Sequence, residues 1–140
     1  MNKWIASLLL LLATTTVHAG VELKNIPDLL QTSLRNNSVK AAIMDGTVLR
    51  VELDKPTVSE LVYSSFIVHA ICAEQWRKPE KFSKLDLTRV EVLDAAGTQG
   101  FAFDGNAAAC AEMGGLGVNF GVFIGKRTVK CDAGTCAKRH

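Results

Sequence analysis

Aromatic residues make up 6% of this 140-residue chain, with one tyrosine, Tyr63, and two tryptophans, Trp4 and Trp76. So few flat side chains, so scattered, exclude an aromatic ladder for stacking bases or sugars. Histidine is as scarce: of the three, His18 follows an apolar run near the N-terminus, His140 ends the chain, and only His69 lies within the body. A metal site or proton relay built on histidine needs partners in reach, and none is evident beside His69 except Cys72. No charge of one sign dominates either. Lys and Arg number 16 against 14 Asp and Glu, so global charge gives no reason to expect nucleic acid as a partner. Missing too is any unbroken apolar run of the ~20 residues a spanning helix needs.

What stands at the N-terminus instead is Met-Asn-Lys, the apolar stretch WIASLLLLLATTT, and Val17-His18-Ala19. A short positive region, an apolar core and a small-residue cleavage pattern predict a secretory signal peptide over 1–19, leaving 20–140 as one domain. In a Gram-negative cell that places the protein in the periplasm. All four cysteines, Cys72, Cys110, Cys131 and Cys136, fall in the exported part. An even count in an oxidising compartment reads as two disulfides, and spacing favours Cys131 with Cys136 around the turn-forming CDAGTC, leaving Cys72 for Cys110. Cys-x4-Cys lacks the spacing of a zinc site, and no metal or cofactor is expected.

The stretch 56–76, PTVSELVYSSFIVHAICAEQW, carries the strongest helical pattern. Thr57 and Glu60 form a capping box, and Val58, Leu61, Val62, Ser65, Val68, His69, Cys72, Ala73 and Trp76 recur at three- and four-residue steps on one face. This predicts one long central helix lying against a sheet. Around it, Pro27-Asp28 opens a short helix ending at Asn36-Asn37, and Asp45-Gly46 marks a hairpin over 38–53. A second hairpin is expected over 85–103, then a short helix AAACAEM capped by Asn106 and stopped at Gly114-Gly115. In GGLGVNFGVFIG, Val118, Phe120 and Val122 alternate as on a strand, continuing through Lys126 to Lys130. The fold class is therefore α+β: an antiparallel sheet of two hairpins plus a C-terminal strand, packed on one long central helix and stapled by disulfides.

Chemistry is harder to find. His69 and Cys72 stand at i, i+3, but an oxidised Cys72 offers no thiolate. Asp94 and Asp104 flank the second hairpin and could meet at one sheet end as the acid and base of a small hydrolase. Gly125-Lys126-Arg127-Thr128 does not supply the Gly-Lys-Ser/Thr order of a phosphate loop. A stapled, near-neutral body with a basic C-terminal tail instead predicts a non-catalytic binding, inhibitor or immunity-type protein acting by protein–protein contact. Its partner would be an envelope or secreted protein, met by the CDAGTC loop with Lys126, Arg127, Lys130, Asp132, Lys138 and Arg139. A further possibility is an envelope or secretion-system assembly factor that lends a hairpin edge strand to a larger sheet.

Overall fold

The structure, a computed structural model, describes residues 20–138. The expected leader and Arg139 lie outside the described residues.

Among the described residues seven strands form one sheet in which each lies beside its predecessor in the chain. They are β1 (Glu22–Lys24), β2 (Val39–Asp45), β3 (Val48–Leu53), β4 (Arg89–Leu93), β5 (Gly100–Asp104), β6 (Thr128–Asp132) and β7 (Thr135–Cys136). The architecture is α+β, but the sheet is mixed where an antiparallel one was expected: β1 pairs parallel to β2 and β3 parallel to β4. The Asp45-Gly46 hairpin is present, with Asp45 paired to Val48 and Gly46 at φ +60°. The second hairpin pairs β4 with β5. Neither hairpin stands alone, because the helices between strands return the chain to the same end of the sheet and so enforce parallel neighbours. β1 went unpredicted; three residues show no period of their own.

Among the described residues six α-helices join the strands: α1 (Asp28–Arg35), α2 (Glu60–Phe66), α3 (Ala73–Arg77), α4 (Pro79–Ser83), α5 (Ala107–Leu116) and α6 (Phe120–Gly125). The expected central helix is a rod in three pieces. Between α2 and α3, Ile67–Cys72 widens to a π-helix, in which the Ala73 amide reaches the Val68 carbonyl five residues back. Ser33 of α1 donates to the Ala70 carbonyl at 2.7 Å, so α1 and the rod share one face of the sheet. The two parallel pairs run in opposite directions while their helices share that face, so the two crossovers have opposite hands. One of them departs from the usual right-handed rule.

The cap differs from expectation as well. Ser59, not Thr57, accepts the Val62 amide at 3.2 Å. Gln99 takes both the amide and the carbonyl of Val58, at 3.0 and 2.9 Å, which engages Val58 outside the helix, and the cap falls two residues beyond the expected one. Helix α5 runs past Gly114-Gly115 and ends at Gly117, φ +71°. The stretch expected as a strand is α6: Phe123 and Ile124 are buried while Val118 and Val122 face solvent, a helical and not an alternating pattern.

Leu49, Val51, Val90, Val92 and Phe103 of the sheet meet Leu30, Leu34, Ile67, Ala70 and Ile71 in the main core. Cys72 and Cys110 are bonded within it, and both are almost fully buried.

Candidate functional site

The C-terminal hairpin was the expected contact surface, and its anchoring starts from the register. Cys131 of β6 pairs directly with Cys136 of β7 and the two are disulfide-bonded. Ala133 and Gly134 turn the chain with φ of +49° and +79°, the left-handed pair that tight hairpins require. The loop does not stand out from the sheet. It lies back across the uncovered face of the sheet, where Leu93, Ala102 and Cys131 form a second small core. The Gly134 amide donates to the Thr98 carbonyl at 3.0 Å. Arg50 donates through one guanidinium nitrogen to the Gly134 carbonyl and through the other to the Gly97 carbonyl, each at 3.1 Å. Arg89 holds the Ala137 carbonyl at 2.8 Å. Asp132, Ala133 and Thr135 stay exposed on the outer side of this clamp.

The basic residues named with the loop sit on different elements. Lys126 is exposed at the end of α6, Lys130 is exposed on β6, and Lys138 follows β7. Arg127 is committed elsewhere: it reaches Glu112 at 3.3 Å and lies 4.1 Å above the Phe123 ring. Sequence reasoning missed Arg50, whose position in a strand carries no signal until the turn it clamps is placed beside it.

The register does not bring Asp94 and Asp104 together. Asp104 pairs with Arg89 while Asp94 follows Leu93, at the other end of the same strand, about five residues or roughly 17 Å away. Each is also engaged. Asp104 holds Arg89 in a bidentate pair, Nε to Oδ1 at 2.6 Å and Nη2 to Oδ2 at 3.1 Å, which raises the Arg89 pKa further. Asp94 accepts the Thr98 amide at 2.9 Å and the Thr98 hydroxyl, and these bonds, the amide first, hold its carboxyl below the usual range. His69 is exposed, and Cys72 is in its disulfide. Strands β2 to β5, which make up the two expected hairpins, are interior to the sheet among the described residues; its edges are β1 and β7, of three and two residues, so a strand added at an edge would pair with one of these short strands. Among the described residues no cluster of His, Cys, Asp and Glu could hold a metal, and no helix is long and apolar enough to cross a membrane.

A half-buried hydroxyl pair ties the rod to β6. Thr128 Oγ1 donates to the Ile124 carbonyl at 2.7 Å, so in its 2.7 Å contact with Tyr63 it must accept, and Tyr63 is the donor. Burial is the main cause of a strongly raised Tyr63 pKa. Unfolded tyrosine ionises near ~10, so this group contributes stability below that pH and loses it as pH rises above it. Because Tyr63 is the only tyrosine, phenolate absorbance in an alkaline titration should appear together with loss of helical circular dichroism. A phenolate signal well before unfolding would contradict the buried donor.

The chain matches no protein-family profile, no curated protein and no solved structure. The class that the fold defines is thus a disulfide-stapled α+β domain with a seven-stranded sheet.

Proposed function

We propose that this is a small exported protein, periplasmic in a Gram-negative cell, that acts without catalysis by binding another protein through its C-terminal hairpin. The supporting observation is the double grip of Arg50 on Gly134 and Gly97 beneath a disulfide-closed turn. A loop fixed before contact loses little conformational entropy on docking, as an inhibitor or immunity protein needs. The loop presents Asp132 and Thr135 outward, with Lys130 on the adjoining strand and Lys138 beyond the hairpin. Two disulfides accord with an oxidising compartment.

Recovery of partners from the envelope fraction tests the reading. Asp132→Lys with Lys130→Glu reverses two exposed charges, with the loss of one exposed turn bond from the Ala133 amide to Asp132, and should abolish recovery while the fold is retained. Arg50→Met and the pair Cys131→Ser, Cys136→Ser should each weaken it several-fold while cooperative unfolding is retained. Identical partners and yields from all of these proteins would remove the hairpin as the contact surface.

A further inference from the structure

The corner between α5 and α6 is a second surface, remote in character from the hairpin. Leu116, Val118 and Val122 are 50%, 66% and 61% exposed. Residues 113–125, MGGLGVNFGVFIG, carry no charge, and Asn119 is their one polar side chain. Nor is the corner loose. Phe120 packs on Trp76 with ring centroids 5.7 Å apart, and Trp76 donates to the Cys110 carbonyl at 2.7 Å, beside the buried disulfide. A methyl group at Gly114 would overlap the Trp76 indole, so only glycine lets α5 approach this closely. Three large aliphatic side chains are therefore held in water by a firm support, the arrangement expected of an interaction surface.

The charges around the corner say what would cover it. Lys126 lies one helical turn beyond Val122, its amide bonded to the Val122 carbonyl, and is exposed. Lys78 follows Trp76 by two residues and is exposed as well. Of the acidic groups on these elements, Glu112 is tied to Arg127 and Glu74 to Arg77, while Glu80 is exposed. An aliphatic tip with a half-exposed tryptophan at its base and exposed lysines on the flanking elements matches the layering of an anionic lipid surface: hydrocarbon, interface, phosphate. We propose that Leu116, Val118 and Val122 insert into the headgroup boundary of an anionic bilayer while Lys126 and Lys78 meet its phosphates. The attachment is superficial and reversible, since no described helix can span the membrane and the inserted surface is small.

Co-sedimentation of the purified exported chain with phosphatidylcholine vesicles, with and without phosphatidylglycerol, tests this. Binding should require phosphatidylglycerol and weaken with added salt. Val118→Asp with Val122→Asp should lower partitioning about tenfold or more, and Lys126→Glu several-fold. All three substitutions fall on exposed side chains, and unchanged thermal unfolding verifies the fold. Failure to bind anionic vesicles at low salt overturns the proposal. So does binding that the double aspartate variant leaves intact, which would place the contact elsewhere. A chain that is dimeric alone, becomes monomeric in that variant and ignores vesicles would assign the corner to a second copy of itself and likewise overturn it.

Discussion

Replacing Cys72 and Cys110 together with alanine should lower stability by about 4 kcal/mol, the loop-closure expectation for the 38-residue separation of this disulfide. For a domain of this size that corresponds to a fall in Tm of roughly 15–20 °C. The bond lies inside the main core and fastens the widened part of the rod to α5, which have no other covalent tie. The same change at Cys131 and Cys136, separated by only five residues, should cost about 2 kcal/mol by the same relation. Urea unfolding of both double variants under one buffer checks the order. Equal midpoints would mean that the core disulfide restricts the unfolded chain no more than the hairpin one.

Gly100→Val is expected to be as damaging, at ~4 kcal/mol or more, for a different reason. A Cβ at this position would fall on the Val92 carbonyl of the neighbouring strand, so backbone and not a pliable side chain would have to yield. Gly100 pairs with Leu93 on one side and Cys131 on the other. Displacing it opens the sheet between β4 and β6 and withdraws the Gly97–Thr98 turn from the hairpin clamped to it. Chemical denaturation and amide exchange of β5 report the effect. A variant as stable as the parent would mean that β5 shifts to accommodate the side chain.

Much of this fold was legible where local pattern and tertiary demand coincide. Asp45-Gly46 turned the chain as its φ preference requires, and the apolar face around Ile67 and Ile71 marked the rod. Both disulfide pairings followed from spacing. What stayed hidden depends on distant partners. The parallel pairing of β3 with β4 arises only once the intervening helices pack. Gln99 moves the helix start from 41 residues away. In GGLGVNFGVFIG a short apolar run fits strand and helix alike, and only the burial of Phe123 and Ile124 decides it. Among the candidate site residues, the hairpin turn was legible but its docking was not, because nothing in CDAGTC announces Arg50. The pairing of Asp94 with Asp104 failed on register, which a hairpin's ends do not reveal until its turn length is known.

The strand order has a consequence for synthesis. Because every strand adjoins the one made before it, none has to wait for a later segment to be inserted between it and its neighbour. The sheet can accrete from the N-terminal side as the polypeptide emerges, on a ribosome or beyond a translocation pore, each addition closing only a modest stretch of chain. The terminal hairpin, clasped last by Arg50 and Arg89, would then report by its own docking that everything upstream is already in place.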